Sequence, residues 1–174
     1  MGRRIAAALL ALSTAAPAAA LEVQGNAAVG SEQRPVTLRL DCEPKTGIAA
    51  VLTIARFEGL PFDFDAFEGP TGSTAPLTEL RVSNAAGVRT TRARASGAVA
   101  VDPSTSFVFT VAPTRRGEAP LREVALALAE PGAKLIWSQS AVKKGATPLL
   151  ATISIPEDRN AALRTTLGPC LQGF

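Results

Sequence analysis

The sequence predicts a mainly β, single-domain fold, a two-layer β-sandwich-like arrangement, and three observations favour it. Apolar and polar residues alternate along most of the chain, as they do in half-buried strands. Stretches rich in Pro, Gly, Asn and Ser separate the alternating segments and suit turns. The chain has 174 residues, 47% apolar and 19% charged, which is enough for one hydrophobic core, and it contains no linker long enough to divide it.

Residues 1–20 have the features of a secretory signal peptide. Arg3 and Arg4 precede an apolar run, and Ala18-Ala19-Ala20 supplies the small residues of a cleavage site. We therefore expect residues 1–20 to be removed and residues 21–174 to form one exported β-rich domain, periplasmic or secreted. The apolar run is shorter than the roughly 20 residues that span a bilayer, so we expect no transmembrane anchor after cleavage.

The strands are predicted from period-two alternation. In 36–42, Val36, Leu38, Leu40 and Cys42 share one face, which places Cys42 toward the core. The turn residues that follow, and the apolar stretch after them, predict a hairpin with a second strand. Further strands are predicted at 77–83, 88–101, 105–112, 134–140 and 149–155.

Two segments have helical periodicity. An amphipathic helix is predicted at about 120–130, where Leu121, Val124, Ala125 and Leu128 fall on one face. A short C-terminal helix is predicted at about 157–167, since Glu157 and Asp158 suit a helix N-terminus and Gly168-Pro169 suits its end.

The two cysteines, Cys42 and Cys170, lie near opposite ends of the exported chain. In an oxidising compartment an even pair predicts a disulfide, and this one would tie the C-terminal helix to the first core strand. A catalytic thiol is disfavoured, because the chain has no His to activate it and no Cys-x-x-Cys spacing.

Composition excludes several chemistries. The chain contains no His and no Tyr, so His-dependent triads and His-ligated metal sites are absent, and no cofactor or metal motif is present. Removing Arg3 and Arg4 leaves 16 basic and 15 acidic residues, a balance that does not predict nucleic-acid binding. The basic run Arg89, Arg92, Arg94 is either a solvated strand face or a small docking patch for an anionic partner.

The segment 57–70 concentrates four of the seven Phe residues. On one interpretation its rings belong to the core and its carboxylates face water. On the other, a partner binds at this loop, with the site formed by Phe62, Asp63, Phe64, Asp65 and Phe67. A calcium loop is disfavoured, because Phe67 stands where an oxygen ligand belongs.

Ser140-Ala-Val-Lys143 matches the Ser-x-x-Lys of penicillin-recognising acyl enzymes, and Lys45-Thr-Gly47 matches their Lys-Thr-Gly element. The two motifs occur in reversed order and the intervening Ser-x-Asn element is missing, so no catalytic residue is assigned. A small periplasmic hydrolase, using this Ser/Lys pair or two carboxylates, is the alternative to a binding protein.

The layout of the chain resembles the periplasmic accessory proteins associated with type VI secretion, the VasI/TagO-like family. The similar features are 38–42 at the start of the folded part, 77–82 in its middle, and 149–155 leading through a short helix to Cys170. That resemblance implies a two-layer β fold without an active site, acting through partners. We accordingly expect a monomeric, non-enzymatic binding or accessory module of the bacterial cell envelope, whose partner is a protein or an envelope component. A purely structural envelope protein is a further alternative.

Overall fold

A computed structural model describes residues 19–69, 75–101, 105–113 and 120–172; the predicted signal peptide, except for its last two residues, lies outside this part. The described chain forms nine strands and two α-helices. The strands are β1 (Ala19–Val29), β2 (Glu32–Glu43), β3 (Gly47–Ala55), β4 (Thr78–Asn84), β5 (Gly87–Ala93), β6 (Ser96–Val99), β7 (Ser106–Val111), β8 (Lys134–Gln139) and β9 (Leu149–Ser154). The helices are α1 (Pro120–Leu128) and α2 (Glu157–Gln172), and a 3₁₀ turn covers Asp65–Phe67.

All nine strands belong to one antiparallel sheet in the order β5-β4-β8-β9-β1-β2-β3-β7-β6. Its two edge strands, β5 and β6, are consecutive in the chain and are joined only by Arg94 and Ala95. A connection of two residues spans at most about 10 Å between Ala93 and Ser96. The sheet must therefore curl until the end of β5 lies close to the start of β6. The predicted mainly β fold is confirmed, and its two layers are the two halves of one curled sheet.

The core lies on the inner face of the curl and follows the alternation of the sequence. Val36, Leu38 and Leu40 on β2 are buried, as are Leu135 and Trp137 on β8. Trp137 is fully buried on the same face of β8 as Leu135, two residues earlier. The pattern of apolar residues therefore sets which face of each strand points inward.

The two helices cover the inner face of the sheet. The predicted apolar stripe of α1 is buried, and α1 packs on β4 and β5, while α2 packs on β1 and β2. The backbone carbonyls at the end of α1 accept hydrogen bonds from three side chains: Asn84 Nδ2 to Ala127 O at 2.8 Å, Asn160 Nδ2 to Glu130 O at 3.0 Å and Arg164 Nε to Ala129 O at 3.1 Å. These donors satisfy groups that a helix end otherwise leaves without partners.

Three elements differ from their predicted bounds. The strand β1 was not predicted, because small residues (Gly25, Ala27, Ala28) weaken the alternation that Leu21 and Val23 begin. The single strand expected at 88–101 is two strands, interrupted where the chain crosses from one sheet edge to the other. The helix α2 continues past Pro169 to Gln172, so Cys170 lies in its last turn instead of following it.

No helix in the part of the chain that the structure describes combines the length and the apolar character needed to span a membrane.

Candidate functional site

The Phe-rich loop belongs to the core. Phe62, Phe64 and Phe67 are 8%, 5% and 0% exposed, and Phe67 packs on Phe109 with ring centroids 5.4 Å apart. The prediction that these three rings are presented to a partner is therefore wrong. The reason is that the loop folds over the end of the sheet, where burial of three aromatic rings outweighs any gain from leaving them in water. Asp63 and Asp65 point to solvent between them.

This loop also covers one edge of the sheet. Glu68 forms a parallel bridge with Gly97 of β6, and the Gly69 N–H donates to the Gly97 carbonyl at 3.2 Å. An edge strand exposes unpaired N–H and C=O groups that attract other strands. The buried Phe residues thus anchor a segment of the chain that covers β6.

The opposite edge strand, β5, is open within the described residues, where it pairs with β4 alone. Residues 87–90 are all exposed, and so is Arg92. Val88 is 49% exposed, which is high for a β-branched residue in a strand. In 19–69, 75–101, 105–113 and 120–172, no segment covers the side of β5 that faces away from β4 along 87–90.

Charge is divided between the two halves of the sheet. The strands β4, β5 and β8, together with the residue after β5, carry five cationic side chains and one carboxylate: Arg81, Arg89, Arg92, Arg94, Lys134 and Glu79. The strands β1 and β2 and the loop 57–69 carry eight carboxylates and two arginines: Glu22, Glu32, Asp41, Glu43, Glu58, Asp63, Asp65, Glu68, Arg34 and Arg39. A nearly neutral chain therefore has a cationic edge at β5.

The cationic side chains occupy both faces of β5. Arg92 lies opposite Glu79 on the outer face, and their side chains form an exposed ion pair at 3.3 Å. Arg89 lies opposite the buried Val82 and therefore leans toward α1. Arg94 lies outside the strand, because β5 ends at Ala93.

Beside the first half of β5 is a recess of about 260 Å³ between the β4–β5 turn and α1. Its lining includes Arg89 from β5, Glu123 and Leu126 from α1, and Glu130, two residues after the end of α1. Leu126 is 39% exposed, although Leu121, Val124, Ala125, Ala127 and Leu128 of α1 are buried. The recess therefore combines apolar surface with charges of both signs.

A larger cleft, of about 530 Å³, lies on the outer face of β1, β2 and β3 near the disulfide. Four of its polar side chains bond in two pairs: Arg39 Nε contacts the Asp41 carboxylate at 3.0 Å, and the Thr46 hydroxyl donates to Glu43 at 2.8 Å. No group of three metal-ligating side chains is present among the described residues. We assign no chemistry to this cleft.

The candidate acyl-enzyme residues do not form a site. Ser140 follows β8 and Lys143 lies in the next loop; both are exposed, and no hydrogen bond joins their side chains in the described structure. A nucleophile and its base need hydrogen-bond contact to exchange a proton.

Comparison of the chain with protein-family models, with curated proteins and with solved structures found no match in any of the three. The geometry of the chain itself is therefore the basis for proposing a function.

Proposed function

We propose that this protein is an exported, non-enzymatic binding module of the bacterial cell envelope that accepts an extended segment of a partner protein as an additional strand beside β5. The observation that carries this proposal is the difference between the two sheet edges. The chain covers β6 at Gly97 with its own loop, while β5 is exposed along 87–90. Strand addition at such an edge gives affinity through main-chain hydrogen bonds.

The proposed location is supported by the signal-like residues 1–20 and by the disulfide. A bond between Cys42 and Cys170 is typical of proteins that fold in an oxidising compartment such as the periplasm. Cleavage after Ala20 would leave residues 21–29 of β1 in the mature chain. The resemblance to periplasmic accessory proteins of type VI secretion also favours a role exerted through partners.

The proposal includes a monomeric state. Two copies pairing through β5 would place two cationic outer faces side by side, each carrying Arg81 and Arg92, and like charges at a strand edge oppose such pairing. The same arginines that disfavour a second copy leave the edge suited to a partner of opposite charge.

The test uses the disulfide-bonded chain 21–174 and a capped nine-residue peptide in which valine and glutamate alternate. We expect chemical-shift changes at the backbone amides of β5 and slower hydrogen exchange there in the presence of the peptide. Changes confined to the 530 Å³ cleft near the disulfide would contradict the proposal.

Two N-methylated peptides provide the control without altering the protein. One is methylated at the odd backbone amides and the other at the even ones. Only one edge of the peptide pairs with β5, so methylation of that edge should abolish binding and methylation of the other should not. Equal binding of both methylated peptides would overturn strand addition. So would the absence of binding both by the unmodified peptide and by a peptide in which valine alternates with serine.

A further inference from the structure

Resting on the proposed strand addition at β5, we infer that the bound segment alternates acidic and apolar side chains. Its acidic side chains face the outer surface of the sheet, and its apolar side chains face the recess beside α1. The occupant is thus an extended, acidic-apolar segment of another protein. The two faces of β5 supply independent observations for this pattern.

The outer face next to β5 is cationic. On β4 the buried residues Leu80 and Val82 alternate with Glu79 and Arg81, so Arg81 projects from the outer face, directly across from Thr90. Arg92 of β5 projects from the same face. A side chain of an added strand that lies beside Arg92 would therefore meet its guanidinium, and one that lies beside Thr90 would approach Arg81 across β5.

Glu79 does not neutralise this face. Its ion pair with Arg92 is exposed, and the Arg92 side chain retains 73% of its accessible surface. A guanidinium has five N–H donors, so Arg92 can contact Glu79 and a second carboxylate at once. Arg81 forms no ion pair within the described residues, which leaves its charge available as well.

The inner side of the edge favours apolar side chains. The recess there has a volume of about 260 Å³, and the exposed Leu126 contributes to its lining. Its charged residues are mixed in sign, since Arg89 lies among Glu123 and Glu130, and Glu130 also contacts Arg164 at 3.9 Å. A side chain such as valine can cover the exposed Leu126 without adding a further charge to the recess.

An extended peptide fits these features better than a flat anionic surface does. A polyanion or an acidic membrane would use cations that all project from one face. Here an open strand edge separates a cationic outer face from a recess that combines apolar surface with charges of both signs. Only a chain with two different faces makes use of both.

The test compares three capped peptides that alternate valine with glutamate, with serine or with lysine. We expect the glutamate peptide to bind about tenfold more tightly than the serine peptide, and the lysine peptide to bind most weakly. Because the contacts are exposed, the preference for glutamate should shrink as salt is raised. All peptides that bind should perturb the amides of β5.

The matched variants carry equal changes of charge. Arg81→Glu with Arg92→Glu should reverse the preference from glutamate to lysine, whereas Lys143→Glu with Lys144→Glu, in an exposed loop, should leave it unchanged. Arg81→Gln with Arg92→Gln covers the case in which the glutamate variant does not fold. It should reduce the preference for glutamate over serine to within about twofold.

The outcomes separate this inference from the proposed function. Equal binding of the three peptides at β5 would overturn the acidic-apolar pattern and leave strand addition standing. No binding by any of them would overturn both. Binding to vesicles of phosphatidylglycerol and phosphatidylcholine that depends on Arg81 and Arg92, with no peptide effect on β5, would assign the arginines to a membrane surface and overturn the inference.

Discussion

Cys170 in the last turn of α2 is bonded to Cys42 on the inner face of β2, across a sequence separation of 128 residues, with their Cα atoms 5.9 Å apart. Both cysteines are buried. The bond ties the end of the chain to the middle of the sheet, between β1 and β3. This pairing confirms the disulfide predicted from the sequence.

The first prediction concerns this disulfide. The variant Cys42→Ala with Cys170→Ala should lose up to about 5 kcal/mol of unfolding free energy, because the bond closes a loop of more than 100 residues in the unfolded chain. Urea titration of the oxidised protein, of the reduced protein and of the variant measures the loss. The variant should not respond to reductant. A midpoint equal to that of the oxidised protein would contradict an important role for the bond.

Local patterns explain why much of this fold could be predicted. The alternation that buries Val36, Leu38, Leu40 and Cys42 is a property of one strand and is readable without its neighbours. The order of the strands is not readable in this way. That β5 and β6 stand at opposite edges depends on pairing across the whole chain, so the segment containing both was predicted as one strand.

A second prediction compares the stability contributed by the buried rings of the Phe-rich loop with that contributed by its exposed carboxylates. Phe67→Ala should cost about 3–5 kcal/mol, since Phe67 is fully buried and contacts the rings of Phe62 and Phe109. Asp65→Ala, two residues earlier and exposed, should change the unfolding free energy by less than about 0.5 kcal/mol. Chemical denaturation of both variants checks the difference. Similar losses would show that the loop does not anchor through its rings.

The candidate site was only partly predictable, for a physical reason. A run such as Arg89, Arg92 and Arg94 is visible in the sequence, and a docking patch for an anionic partner was one of its two interpretations. Whether a strand is at an edge, and whether the edge is covered, depends on residues distant in sequence, such as Glu68 on Gly97. For the same reason the Phe residues could be read as either core or surface.

The third prediction addresses the end of α1. Asn160 is buried and donates to the carbonyls of Leu128, at 3.4 Å, and Glu130, at 3.0 Å. Asn160→Ala should cost about 1–3 kcal/mol, because these acceptors lose their donor inside the protein. Asn160→Asp should cost more near neutral pH, because it places carboxylate oxygens against carbonyl oxygens.

Thr165→Ala is the control for that experiment. Thr165 is on the same helix, but its exposed hydroxyl only donates to the Ala161 carbonyl within the helix. Its loss should change the unfolding free energy by less than about 0.5 kcal/mol. If Asn160→Asp were as stable as the parent protein in thermal unfolding at neutral pH, the proposed role of the amide as donor would be wrong.

The last prediction uses two glycines that differ in the space around them. A Cβ on Gly97 would lie 2.5 Å from the Cε1 and Cζ atoms of Phe107 and 3.1 Å from Cβ of Phe67. Both rings are fully buried and cannot move aside, so Gly97→Ala should cost about 1–3 kcal/mol through overpacking. Gly168, within α2, has no atom within 4 Å of an added Cβ apart from its chain neighbours and its own helix backbone. Because Pro169 follows it and offsets the helical preference of alanine, Gly168→Ala should change the unfolding free energy by less than about 1 kcal/mol.

A double variant shows whether the loss at Gly97 comes from overpacking. Phe107→Leu alone should destabilise the protein by leaving space in the core. Combined with Gly97→Ala, it vacates the volume that the new methyl group needs. The double variant should therefore lose less unfolding free energy than the sum of the two single losses. Thermal and urea unfolding of the four proteins complete the cycle. Strictly additive losses would place the cost in the backbone of β6 and would contradict close packing of Phe107 against Gly97 at the covered edge.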